Sequence, residues 1–383
     1  MKSFHQVILW LLVSLTAVAQ DELPAMKPIA NRHGPAWAAA RKFKRGVNIA
    51  NYLEVPAGEG WSVRHTALDL KQIKAEGFDH IRLPVGWHHY TGPAPDYKIS
   101  DEIFDKADFM VTNATALKLN VIINLHHFNE FTTNPAANTA WFNAIWRQVA
   151  AHYAKAPASV AFELLNEPKD GATTVVMNPI YAEAIREIRQ TNPHRTIFVG
   201  PGKWNSPGEL PNFRLPDNDD NIIVTLHCYD PMFFTHQGAT WAGPDFKLQG
   251  IHFPGPPKVP FEPDPTVQVK PWVLKSIQQY NTEPAASNPC GPKAFLGKIQ
   301  KVKAWSEEYG RPIHFGEFGA FMKADQESRA NYYAAMRQAL EAEGFGWAIW
   351  DWKSGFNYWD AKAQQPLPGM RQALFAKSKI DRN

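Results

Sequence analysis

The stretch FELLNEPKD, residues 162–170, is an apolar run that stops abruptly at an amide, a carboxylate and a proline. An ionised glutamate within or beside such a run is costly unless it is paired or solvated at an edge. The run is near-continuously apolar rather than alternating, as expected of a strand covered on both faces. It belongs to a longer candidate strand, VAFELLN at 160–166, and seven similar runs recur: RGVNI at 45–49, FDHIRLP at 78–84, NVIINLH at 120–126, TIFVG at 196–200, IIVTLHC at 222–228, PIHFGE at 312–317 and GWAIWD at 346–351. Segments of helical periodicity lie between them, at 66–78, 100–118, 138–154, 178–190, 293–310 and 325–345, with a last one near 366–378. Eight runs alternating with helices predict a parallel α/β fold. The count over this length favours a single (β/α)8 TIM barrel over an open sheet. Ser100, followed by Asp101 and Glu102, reads as a helix start.

The spacing is regular except once. Between the sixth and seventh runs lies a segment at 230–292, rich in proline, glycine and aromatics, too long for an ordinary βα connection. In a barrel it would stand on the C-terminal face as a wall or lid. No linker, appended carbohydrate-binding module or internal repeat is read from the sequence, so residues 20–383 are expected to form one domain.

Composition narrows the function. Hydrophobic residues make up 44% of the chain and charged residues 20%, which permits a large core and argues against global disorder. A net charge of +3 without a basic run gives no support for nucleic-acid or anionic-membrane binding. Lys2, the apolar stretch VILWLLVSLTAV and the small-residue site Ala17-Val18-Ala19 read as a secretory signal peptide over residues 1–19, cleaved after Ala19, with export to the periplasm or beyond. No membrane association is expected after cleavage, and a monomer is expected. Only Cys228 and Cys290 are present; a disulfide and two buried thiols both remain open. Fourteen tryptophans, several in turn-like contexts such as Trp204, Trp241 and Trp350, suit a ligand that is apolar on one face and polar at its rim, as a sugar ring is.

In a barrel the chemistry sits at the C-terminal ends of the strands. There the second run carries Arg82, the third His126 and His127, the fourth Asn166 and Glu167, the sixth His227 and Tyr229, the seventh Glu317 and the eighth Trp350. Pro168 disfavours helical geometry at Glu167, so Glu167 is expected to be extended and Pro168 to end the strand. Gly316 and Gly319 allow close backbone around Glu317. Two carboxylates flanking a bond suit glycoside hydrolysis, one protonated and one ionised. Arg82 and Tyr229 would keep Glu317 ionised, and Asn166 would meet the sugar 2-hydroxyl. Other readings exist: Glu317 as a structural partner of Arg82, a non-catalytic carbohydrate-binding barrel, or a metal site built from His126, His227 and a glutamate.

The motifs RGVNI, IRLPVGW, INLHHF, LLNEP, LHCYDP, HFGEFG and AIWDW together resemble glycoside hydrolase family 5, the cellulase-type retaining glycosidases. The resemblance covers the chain after the signal peptide. It implies Glu167 as general acid/base and Glu317 as nucleophile, with Arg82 and Tyr229 tuning the nucleophile and His227 supporting the acid/base. It further implies His126 and Asn166 as sugar contacts and Trp350 as the platform beneath the sugar; His127, Trp204 and Trp241 join the candidate substrate-binding set. The resemblance calls for no metal and no cofactor. The implied substrate is a polysaccharide, β-1,4-linked glucan, with mannan, xyloglucan or mixed-linkage glucan as alternatives.

Overall fold

The computed structural model describes residues 26–56 and 58–376. The expected signal peptide lies outside the described residues. Eight parallel strands close into a barrel in chain order: β1 (Arg45–Asn48), β2 (His80–Val85), β3 (Asn120–Leu125), β4 (Val160–Glu163), β5 (Ile197–Val199), β6 (Ile222–His227), β7 (Ile313–Glu317) and β8 (Gly346–Ile349). Closure is made by β1 on β8, with Val47 opposite Ile349. The (β/α)8 barrel expected from the eight runs is the observed fold.

Helices Ala67–Glu76, Asp101–Ala116, Pro135–His152, Thr174–Thr191, Lys293–Tyr309 and Gln326–Ala342 wrap the sheet, and Met370–Phe375 follows β8. Their starts show which local signals acted. Thr66 and Asp69 form a reciprocal capping box at the first. Ser100 occupies the N-cap of the second, yet its hydroxyl caps nothing, leaving Asp101 and Glu102 to complement the dipole. The third begins at Pro135, earlier than the periodicity suggests, because Asn134 accepts from Ala137 N and proline suits the first helical position. After β5 the expected alternation fails. A four-residue turn, Gly202–Asn205, and a 3-10 helix, Pro207–Asn212, stand in place of a helix.

The strands bury both faces, for two different reasons. One parity (Ile81, Leu83 and Val85; Val121, Ile123 and Leu125; Ile222, Val224 and Leu226) belongs to the large apolar core shared with the helices. The other parity faces the barrel interior. At the bottom it supplies Ile122, Ala161, Phe198 and Ile223, which pack with Ala36 and Phe43 as a separate plug. One or two steps up the same parity turns polar, and Arg82, Asn124, Glu163, Thr225 and His227 are all buried. An apolar outer face and a polar upper inner face are how one short run can look continuously hydrophobic and still deliver chemistry.

The 230–292 segment is ordered around two helices, Met232–Thr235 and Pro271–Thr282. Its beginning is tied to the barrel mouth: Thr235 Oγ1 donates to Tyr229 O at 2.6 Å, and Ala239, Phe321 and Phe356 cluster beside Tyr229 and Trp350. The segment therefore walls one side of the mouth. Cys228 and Cys290 are both buried free thiols. Among the described residues no helix is long and apolar enough to cross a membrane.

Candidate active site

Arg82 is fully buried at the centre of the mouth and uses all five of its N–H donors. Nε and Nη2 take the two oxygens of Glu163 at 2.7 and 2.8 Å. Nη2 also reaches Asn166 Oδ1 at 2.8 Å, while Nη1 reaches Asn48 Oδ1 at 2.8 Å and Glu317 Oε1 at 2.7 Å. Burial alone would lower the arginine's pKa, but Glu163 and Glu317 outweigh it and raise it, so the guanidinium stays charged. The sequence reading paired Arg82 with Glu317 and passed over Glu163 and Asn48. Strand parity could have found Glu163: two residues beyond Ala161 on β4, it faces the interior, where a carboxylate needs a buried cation.

Glu317 reaches the interior through a register slip. His314 faces inward, stacking its Nε2 3.0 Å from that of His80, so strict alternation would turn Glu317 outward. Instead Leu226 pairs with Phe315 but His227 pairs with Glu317, one extra residue on β7 that re-aims the carboxylate. The extra residue is Gly316, where a Cβ would lie 2.7 Å from Thr225 Oγ1. Glu317 then accepts from Arg82 on Oε1 and from the Tyr229 hydroxyl on Oε2 at 2.8 Å. Each oxygen holds one donor.

Glu167 is placed differently from the expectation. β4 ends at Glu163, four residues before it, and Glu167 has φ +48°, so it is left-handed rather than extended. A proline following a residue argues against right-handed helical geometry there but does not by itself choose between the extended and left-handed regions. The choice is made by the loop after β5. Glu167 N donates to Asn205 Oδ1 at 2.9 Å, and Trp204 N donates to Pro168 O at 3.1 Å. Asn205 is the third residue the sequence reading missed. The Glu167 carboxylate meets His227, Oε1 lying 2.9 Å from Nδ1. One oxygen of Glu167 and one of Glu317 lie within 4.8 Å of each other.

The two carboxylates differ in their company. Burial pushes Glu167 up to about 7, against the pull of Arg82 and Lys169. Burial also raises Glu317, but the charge of Arg82 and the Tyr229 hydrogen bond pull it back. Burial lowers His227 to about 4, which leaves a neutral imidazole at neutral pH. A neutral Nδ1 can donate to an ionised Glu167 or accept from a protonated one, so the contact survives either state of the carboxyl. The arrangement favours the proton on Glu167 and the negative charge on Glu317.

The remaining candidates divide. His126 is buried, hydrogen-bonded through Nδ1 to Asn124 Oδ1 at 2.8 Å, and stacked parallel on half-exposed Trp350 at 5.5 Å. Together they present a ring-lined edge to the mouth. His127 is exposed and lies edge-on to His126 at 4.1 Å. Trp204 and Trp241 stand more than half exposed, at 55% and 64%, on the loops after β5 and β6. Neither joins the hydrogen-bonded centre, and the Trp241 ring packs edge-on against Phe321 at 4.5 Å. Glu167, His227 and Glu317 could geometrically hold a metal ion. Each Glu317 oxygen accepts one hydrogen bond, from Arg82 and from Tyr229, and the charged guanidinium 2.7 Å away opposes a cation there. His126, which the metal reading required, is engaged with Asn124 and lies outside that trio.

A closed (β/α)8 barrel with facing glutamates, one on the loop just beyond its fourth strand and one at the end of its seventh, has the architecture of the retaining glycosidase barrels. Within that class the chain belongs to the cellulases of glycosyl hydrolase family 5, whose family model matches residues 42–355. Endoglucanase 3 of Fibrobacter succinogenes is 32% identical over 365 residues, covering 89% of this chain and 54% of its own length. Endoglucanase H of Acetivibrio thermocellus is 28% identical over 312 residues, covering 81% of this chain and 30% of its own length. The chain thus spans about half or less of these two relatives. The crystal structure of the clostridial cellulose synthase subunit Z from Clostridioides difficile is 31% identical, with a TM-score of 0.76, and the match covers 87% of this chain and all of that one.

Proposed function

We propose that the chain hydrolyses β-1,4-linked glucan internally, with retention of anomeric configuration. The observation that carries this reading is the pair of facing carboxylates, one oxygen of each within 4.8 Å. Carboxyl groups roughly 5–5.5 Å apart leave room for direct attack on the sugar, whereas the inverting route needs roughly 6.5–9.5 Å to admit a water. In the first step a Glu317 oxygen bonds to the anomeric carbon as the glycosidic C–O bond breaks, and the proton on Glu167 passes to the leaving oxygen. In the second step Glu167 takes a proton from water, the water oxygen bonds to the anomeric carbon, and Glu317 departs as carboxylate. Arg82 and Tyr229 hold Glu317 in line for attack. His227 stays with Glu167 through both of its protonation states. Trp350, stacked with His126, supplies the apolar platform under the reacting sugar, and Asn166, fixed through Oδ1 by Arg82, keeps its buried amide nitrogen free for a sugar hydroxyl. Trp204 and Trp241 extend the binding cleft at either rim, and His127 adds a polar contact.

Reducing-end release with a viscosity readout on soluble cellulose, mannan, xyloglucan and mixed-linkage glucan tests the assignment. A steep viscosity drop on β-1,4-glucan, abolished by Glu317→Ala, is expected. Hydrolysis that survives Glu317→Ala sinks the mechanism, and activity confined to mannan sinks the substrate. The same reading takes the protein as exported after cleavage at Ala19 and acting as a single-domain monomer. Sequencing the mature N-terminus and sizing the exported protein check these points.

A further inference from the structure

We infer that Asn205 is a positioning residue for Glu167, fixing the direction of proton donation from outside the strand that carries it; this rests on the reading of Glu167 as acid/base. After β5 the chain takes three consecutive left-handed residues, Lys203, Trp204 and Asn205, with φ of 49°, 58° and 53°. Such positions are strained for residues with a Cβ and persist only where the surroundings impose them. The run delivers the Asn205 side chain, with no exposed surface, beneath the Glu167 turn. Space is cleared for it: a Cβ at Gly200 would lie 2.2 Å from Asn205 Nδ2. Oδ1 takes the Glu167 amide at 2.9 Å, and Nδ2 has no partner among the described residues, so the side-chain hydrogen bond that Asn205 makes there is the one to the acid/base.

That bond sets more than stability. Glu167 is itself left-handed, and its Cα–Cβ direction follows from the orientation of the peptide that Asn205 holds. Glu167 Oε1 meets His227 on one side and faces Glu317 on the other, so a rotated backbone would carry the carboxyl away from the leaving oxygen. Misplacement of a reacting group by about 1 Å is enough to cost about a hundredfold in rate. Glu317, fixed separately by Arg82 and Tyr229, would be untouched.

The experiment compares kcat/KM for two aryl β-cellobiosides, one with a phenyl and one with a 2,4-dinitrophenyl leaving group, because the first needs an acid and the second does not. Asn205→Gly tolerates φ 53° and removes the acceptor. It is expected to lower the phenyl value by about 10–100-fold and the dinitrophenyl value by less than about threefold. Asn205→Asp keeps an oxygen in the same place and should restore the phenyl value to within about threefold of wild type. Equal losses on both substrates, or an aspartate variant as impaired as the glycine one, overturn the inference. Asn205→Ser, which withdraws the acceptor, takes the same comparison if the glycine variant does not fold. A wild-type protein that cleaves neither substrate overturns the hydrolase reading beneath it, a separate outcome.

Discussion

Glu163 and Arg82 meet side by side in the barrel interior, both oxygens of the carboxylate on two nitrogens of the guanidinium at 2.7 and 2.8 Å. The pair has no exposed surface, and Glu163 arises from the apolar run in which Glu167 first draws the eye. Removing one partner of such a pair leaves the other charge buried alone. Glu163→Ala should therefore destabilise the protein by about 3–5 kcal/mol, read from denaturant unfolding. Arg82→Lys keeps the charge but loses the fork, and should lower kcat/KM by at least about a hundredfold while the fold survives.

The proton on Glu167 gives a signed pH dependence. Its carboxyl is raised from an ordinary 4.5 to about 7 in the folded protein. The unfolded chain ionises first as pH rises, so this group's contribution to stability is full below about 4.5 and lost as pH passes through about 7. Glu167→Gln removes the effect. Its Tm should match wild type near pH 4 and exceed it at pH 8, and a constant difference between the two would contradict the assigned shift. The alkaline limb of kcat/KM in the wild type should fall near pH 7 for the same reason.

Tyr229→Phe deletes the donor on Glu317 Oε2 without opening space. A hydrogen bond to a charged group is worth about 1.5–3 kcal/mol, so kcat/KM should fall roughly 10–150-fold with little change in Tm.

Trp204→Ala and Trp241→Ala should separate polymer from small substrate. Both rings stand exposed at the rim, away from the hydrogen-bonded centre. KM for long oligosaccharides should rise roughly 2–12-fold, about 0.5–1.5 kcal/mol per lost platform, while an aryl cellobioside is hydrolysed at the wild-type rate. Equal effects on both substrates would place the rings nearer the centre than the structure does.

Prolonged chelation followed by assay should leave activity unchanged. The charged Arg82 guanidinium, hydrogen-bonded to Glu317 at 2.7 Å, opposes a cation at that carboxylate. Activity lost on chelation and restored by zinc would revive a metal-assisted route.

The barrel was legible because eight apolar runs, most of them followed by a helical segment, give a simple period, and each run falls on one strand. The central residues were legible where a motif ends a run, as at Arg82, Asn166, Glu167, His227, Tyr229 and Glu317. What escaped was of another kind. Glu163 lies inside a run, and only strand parity exposes it. Asn205 serves Glu167 from 38 positions away, through a turn whose left-handed backbone no propensity announces. The geometry of Glu167 was misread because proline constrains its predecessor locally, while a hydrogen bond from another strand's loop decided the conformation. The register slip at Gly316 is likewise a property of two strands together.

Arg82 touches Asn48 on β1, Glu163 on β4, Asn166 just beyond β4, and Glu317 on β7, from its own place on β2. The residue that holds the Glu317 carboxylate is therefore also the clasp that holds distant staves of the barrel in mutual alignment. Such a centre has little freedom to drift, since a change that retunes the chemistry also loosens the closure. Change is tolerated more readily in exposed side chains at the rim, such as those of Trp204 and Trp241, than at this buried hub.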